Sequence, residues 1–257
     1  METFDEPVQE EVVGAKNFFT RLGGVFFSPR EAFTEIGGAP RPIIPIIALL
    51  LVSAFGGWYL AHKIDMGAAS RAQMEQLVRQ GRITQEQMNQ QLALSSVAAG
   101  PIIAVTGAIS ALLLCLAIAG YGKLFSMVTG AKNSYKGLFE AALYAMLAVS
   151  VVSTVLTIVV LQIRGQGHIE ATDLNSLVAS SLGSWIEIAA GADALPKFIM
   201  GLAKAVSIFN IWIIALLSIG FSAVSKNLKA SAAAIWLGGA YVLFSVISAA
   251  ISSVTGG

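Results

Sequence analysis

The chain has 257 residues, 56% of them hydrophobic and only 12% charged, with a formal net charge of +1. Soluble domains carry about 25% charged residues, and a water-soluble fold of this composition would expose apolar patches large enough to aggregate. The medium it calls for is lipid. The near-neutral charge leaves no basic excess for a nucleic-acid partner.

The chain opens on "METFDEPVQEEVV", which is acidic and has no basic region ahead of an apolar one, so it does not read as a secretory signal. We expect residues 1–14 to form a flexible tail before a single membrane domain over 15–257. The next stretch, "NFFTRLGGVFFSPREAFTEI", interleaves Phe18, Phe19, Leu22, Phe26, Phe27, Phe33 and Ile36 with Arg21, Arg30, Glu31 and Glu35. Ser28 before Pro29 reads as a helix start, with serine as cap and proline at the first helical position. The pattern predicts an amphipathic segment lying in the membrane interface or packed under the bundle, and the two placements are compatible.

A crossing needs about 20 apolar residues for a hydrocarbon core of roughly 30 Å. The first such run is 42–61, with Pro42 and Pro45 in its opening turn and Trp58 and Tyr59 at its far end, where interfacial aromatics gather. Next comes "MEQLVRQGRITQEQMNQQLA". Ser70 with Gln73, and Thr84 with Gln87, have capping-box spacing, and Gly81 suits a left-handed helix end. This predicts an extramembrane helical hairpin over 70–95, with a thin apolar stripe of Met74, Leu77, Val78, Met88 and Leu92. That stripe is either a connector lying against the bundle or a docking surface.

The remaining runs are 97–122, 138–163, 200–225 and 230–254, which makes five spans and puts the termini on opposite sides. The link between the second and third carries Lys123, Lys132 and Lys136 and no acid. The turn between the fourth and fifth carries Lys226 and Lys229. Short basic loops face the cytoplasm, so the N-terminus is expected inside and the C-terminus outside, although Lys63, Arg71, Arg79 and Arg82 in the outer 62–96 segment run against this. The other outer segment, 164–197, predicts an amphipathic helix over about 173–188, with Leu174, Leu177, Val178, Leu182, Trp185 and Ile186 on one face.

The order of these pieces is familiar. "FFSPREAFTEI" precedes a proline-led first span and a polar helical pair, and "GKLFSMVTGAKNSYKGLFEAALYA" and "AVSIFNIWIIALLSIGFSAVSKNLKASAAA" follow. The sequence resembles the YIP family, the Ypt/Rab-GTPase-interacting-protein membrane domain, in its bacterial branch, over about residues 15–254. One departure is "YAMLAVSVV", where family members often have a proline soon after the tyrosine. The resemblance implies an all-α, multi-pass membrane fold in a plasma (bacterial inner) membrane. Eukaryotic members are implicated in vesicle trafficking and in binding small GTPases; for bacterial members no activity is implied.

Chemistry-bearing residues are sparse. His62 and His168 are the only histidines and fall near or in outer loops, and neither has neighbours that would complete a metal site. Cys115, the only cysteine, lies among Leu and Ala, where a small apolar thiol is ordinary. No phosphate loop, zinc-protease or nucleophile-elbow pattern occurs. We therefore expect no catalytic, cofactor or metal residues and no cofactor. Lys136 and Glu140, four apart, read as a pair at the cytoplasmic interface. Lys197 and Lys204 snorkel at the outer start of the fourth span. Asn210, within "IFNIW", reads as a hydrogen bond across helices rather than a substrate contact. Small residues at Ala104 and Ala108, Ala141 and Ala145, and Ala230, Ala234 and Gly238 predict close helix packing or an oligomer contact.

The expected function is that of a membrane scaffold or adaptor without catalysis. It would dock lipids and a protein partner, or a second copy, through Met74, Leu77, Val78, Met88, Leu92 and Trp185 or through the cytoplasmic face. The alternative is a transporter or lipid-handling protein with a cavity between the spans.

Overall fold

The computed structural model describes residues 17–63, 71, 74–75, 77–164, 179–191 and 194–255. Among them are nine named helices: α1 (Phe18–Phe27), α2 (Pro29–Gly38), α3 (Ile43–Lys63), α4 (Gln85–Thr129), α5 (Tyr135–Arg164), α6 (Leu182–Ala190), α7 (Lys197–Ala205), α8 (Ile208–Ala223) and α9 (Ala230–Thr255). The only β pairing among the described residues is two isolated bridges, Lys132 with Lys226 and Ser181 with Ser207.

Four helices are long and apolar enough to cross a membrane: α3, α4 from Gly100 onward, α5 and α9. The apolar helix α8 has 16 residues and falls short of that length. Many long apolar side chains on these helices face outward, among them Leu51, Leu113, Val155, Leu243 and Phe244. In lipid such exposure costs nothing, because acyl chains are as apolar as leucine.

α5 is the central post, packed against α1, α2, α3, α4 and α8. From Gly137 to Ala145 every residue of α5 is buried. A helix hidden all round needs neighbours on every side, and Ala141, Ala142, Ala145 and Ala148 let their backbones come close. Phe33 and Ile36 of α2, Leu49 of α3, Cys115 of α4 and Phe221 of α8 complete this core. Gly122 of α4 leaves room for the Phe221 ring, which a Cβ there would strike. The core gathers at the end where α1 and α2 lie, so the N-terminal stretch packs under the bundle. Phe19 and Phe27 of α1 stay exposed.

Local signals act where the residues dictate. The Asn17 side chain caps α1 by accepting from the Thr20 amide at 2.9 Å. Pro29 opens α2, though Ser28 makes no side-chain cap bond. Thr84 and Gln87 form a reciprocal capping box at 2.9 and 3.2 Å. Gly81, at φ +68°, closes the helical turn before it, with the Arg82 amide bonded to the Leu77 carbonyl at 2.9 Å. Ser70 and Gln73, the other expected cap, lie outside the described residues.

Three expected boundaries change. The second hairpin helix and the second span are one helix, α4, of 45 residues that continues to Thr129; nothing between residues 85 and 129 frees enough backbone groups to stop it, and Pro101 alone does not. The segment 200–225 is interrupted at Val206 and Ser207, between α7 and α8. The outer-loop helix starts at Leu182, with Ser181 as its N-cap. Residues 179–181 are not helical, and Leu174, Leu177 and Val178 lie outside the described residues.

Candidate functional site

Polar side chains collect in four places on this apolar frame. The first is a buried charge cluster under the bundle. Arg21 of α1 is 3% exposed and Glu140 of α5 is fully buried. The Arg21 Nε donates to Glu35 Oε1 at 3.2 Å, and its Nη1 donates to the Ala39 carbonyl at 3.2 Å and to Glu140 Oε1 at 3.3 Å. One guanidinium thus ties α1, the end of α2 and α5 together. Glu140 was expected to pair with Lys136. Its partner is Arg21, while Lys136 is exposed and acts on it only through its field. The reason is packing: α1 brings a planar fork of donors to the buried carboxylate, whereas Lys136 is drawn to solvent.

The second place is the lysine-rich end. The loops after α4 and after α8 are joined by the Lys226 amide donating to the Lys132 carbonyl at 2.8 Å, with the reverse bond at 3.3 Å. The Asn133 amide nitrogen bridges the Ser126 hydroxyl of α4 and the Ser225 hydroxyl, the latter at 2.9 Å. Lys123 donates to the Asn133 carbonyl at 2.9 Å. Gly130 and Asn227 take the left-handed turns these loops require, at φ +69° and +66°. In and beside this zipped pair of loops Lys132, Lys136, Lys226 and Lys229 are exposed; among the described residues of α2 and the link after it, Arg30, Arg41 and the acid Glu31 are exposed too.

The third is the interruption between α7 and α8. Breaking a helix in an apolar setting frees backbone groups that must find partners within the protein. Here they do. The Leu182 amide donates to the Val206 carbonyl at 2.8 Å, and the Ile208 amide to the Ser180 carbonyl at 2.9 Å. The freed Ala205 carbonyl accepts from the Tyr241 hydroxyl of α9 at 2.8 Å and from Asn210 Nδ2 at 3.1 Å. Asn210 Nδ2 also lies 2.7 Å from the Tyr241 hydroxyl. Asn210 is thus part of a closed knot that holds a broken helix to α9. Gly183 sits so near α7 that a Cβ there would come within 2.6 Å of the Lys204 amide nitrogen. Lys204 pairs with Glu187 of α6 at 3.0 Å, which fastens the α6–α7 hairpin.

The fourth is a cleft of about 200 Å³ between α3 and α5. Its walls carry Ser53 and Tyr59 of α3 and Ser150, Ser153, Thr154 and Thr157 of α5. The four α5 hydroxyls fall at spacings of three, four and seven, which is one helix face. Serine and threonine within a span commonly back-bond to their own helix, so such a stripe does not by itself announce a cleft.

The remaining expected residues are scattered. Met88 is buried, and Met74, Leu77, Val78 and Leu92 are half-buried, so most of the hairpin stripe is covered. Trp185, 64% exposed on α6, is open. His62 Nδ1 lies 3.0 Å from the Trp58 carbonyl and its ring centroid lies 4.4 Å from that of the indole, with the planes tilted by 48°; His168 lies outside the described residues. Among the described residues no group of three metal-ligating side chains comes together.

Comparison with known proteins agrees with this architecture. Neither the curated proteins nor the solved structures contain a match. The family model described as the Yip1 domain matches residues 23–251, nearly the whole chain. A helical bundle with several apolar crossings, matched to that model from α1 to the last turns of α9, belongs to the Yip1 domain family of multi-pass membrane proteins.

Proposed function

We propose that this protein is a membrane scaffold whose lysine-rich end faces the cytoplasm and docks a protein partner with an acidic surface. The observation that carries the reading is the preformed state of that end. Two loops are zipped by backbone bonds, α1 and α2 are clamped by Arg21, and among the described residues of these segments the exposed charges are Lys132, Lys136, Lys226, Lys229, Arg30 and Arg41 against Glu31. A surface that is already ordered loses little entropy on binding. Opposite charge steers the encounter. The basic loops set the orientation by the positive-inside rule. In this reading α7 and α8 together make a fifth crossing, the termini lie on opposite sides of a plasma membrane, and Phe19 and Phe27 dip α1 into the interface. The scaffold has no catalysis of its own.

The test is affinity capture from native membranes with the full chain in mild detergent, comparing wild type with Lys132→Glu/Lys226→Glu. The expected result is a partner held by the first and lost by the second. Identical captured sets would end the proposal. Tags on the two termini of sealed vesicles should be reachable from opposite faces.

A second reading, handling of a lipid or small solute, is favoured by one observation: the hydroxyl-lined cleft between α3 and α5.

A further inference from the structure

The cleft between α3 and α5 has a direction. At one end, about one turn before Ser53 and Ser150, Leu49 and Leu147 are almost completely buried in the core. At the other, Gln162 Nε2 donates to the Tyr59 hydroxyl at 3.1 Å, in an exposed position. Between these limits it runs from Ser53 and Ser150, near the middle of both helices, towards Tyr59 and Thr157. It is therefore a recess that begins where the filled core ends.

Its hydroxyls are of two kinds. Ser153 and Thr157 donate to carbonyls of their own helix, at 3.2 and 2.8 Å, and so face the recess as acceptors. Ser53, Ser150 and Thr154 have no hydrogen-bond partner among the described residues. A polar group left unpaired in an apolar medium costs roughly 1–3 kcal/mol by mutational measures, so three together at mid-helix favour an occupant that can both donate and accept. No charged side chain lines the recess, which disfavours an ion. The volume of about 200 Å³ matches six or seven waters at about 30 Å³ each, the scale of a small polyol.

We propose that this recess binds a small uncharged hydroxyl-bearing group, held by Ser53, Ser150 and Thr154 as donors and acceptors and by Ser153 and Thr157 as acceptors. The inference rests on the second functional reading and is independent of the docking platform, none of whose residues line the recess. The same chemistry is offered by the glycerol head of a neutral diacylglycerol and by free glycerol. The experiment therefore has two arms. Full-length protein in nanodiscs is titrated with dioleoylglycerol, and separately with free glycerol, and occupancy is read by native mass spectrometry and by the shift in melting temperature. The variants are Ser150→Ala/Thr154→Val, which removes two hydroxyls at nearly constant volume, and Thr154→Ser, which keeps both hydroxyls and removes only a methyl group.

Saturable binding of dioleoylglycerol that falls about tenfold or more in the double variant and is kept by Thr154→Ser supports a lipid-borne group. The same pattern with glycerol alone supports a solute. Binding of neither probe, or binding that the double variant leaves unchanged, overturns the proposal. Partner capture through Lys132 and Lys226 should be equal in wild type and double variant, so failure here is distinguishable from failure of the platform.

Discussion

The two ends of this bundle are built on different terms. At the lysine-rich end, α5 is buried on every face, glycines and alanines bring backbones together, and Arg21 ties three elements to one point. Towards the other end the same helix α5 turns from Leu and Ala to Ser and Thr, and it meets α3 across a recess instead of an interlock. The difference teaches that hydropathy and packing are separate variables in a membrane protein. Both halves are apolar enough for lipid, but dispersion contacts fill only one of them, since the hydrophobic effect gives helices no drive to associate inside a bilayer.

Mutations can break that contrast in order of expected effect. The largest should come from Arg21→Met. It leaves the Glu140 carboxylate buried without its partner, which costs about 3–5 kcal/mol, and should appear as a large fall in the thermal unfolding midpoint in detergent. Adding Glu140→Leu should recover most of it, because an apolar pair of similar volume is often as stable as a buried ion pair. If the double variant is no better than the single, the clamp is more than an ion pair.

Gly183→Ala comes next. Its methyl group would press on the Lys204 backbone, and overpacking of this kind costs about 1–3 kcal/mol. Faster hydrogen exchange at the Leu182 and Ile208 amides would register the loss, because the bridge beside Ser181 and Ser207 would open. Asn210→Leu should cost about 0.6–2 kcal/mol, the range for polar contacts between membrane helices. Tyr241→Phe should cost less than that, since Asn210 keeps its own bond to the Ala205 carbonyl; thermal denaturation of both variants compares them. Smallest of all should be Ser150→Ala, within about 0.5 kcal/mol of wild type in the same assay. A large loss there would mean that the recess wall bears load like the core.

Sequence reading reached what is written in local spacing. The long apolar runs mark α3, α5 and α9, the Thr84–Gln87 spacing marks the start of α4, and Gly81 marks the turn before it, because each depends on residues within a few positions. Arg21 with Glu140 was out of reach. The two are 119 positions apart, and Lys136, four positions away, looked the natural partner. The interruption at Val206 and Ser207 was equally hidden, since hydropathy averages side chains and carries no sign of a backbone whose Val206 carbonyl accepts from the Leu182 amide and whose Ile208 amide donates to the Ser180 carbonyl instead of to its own helix. The recess had a signal, the serine and threonine periodicity on α5, but nothing in one sequence tells whether such a stripe closes against a neighbour or leaves space.

The unbroken course of α4 has a mechanical consequence. At 1.5 Å per residue, its 45 residues make a rod of about 68 Å with one end in the polar hairpin and the other in the zipped loops. A sideways push on the hairpin is therefore carried as torque through the whole thickness of the bilayer. Pro101 deprives the rod of one internal bond, which sets the most compliant point of the lever just inside the crossing.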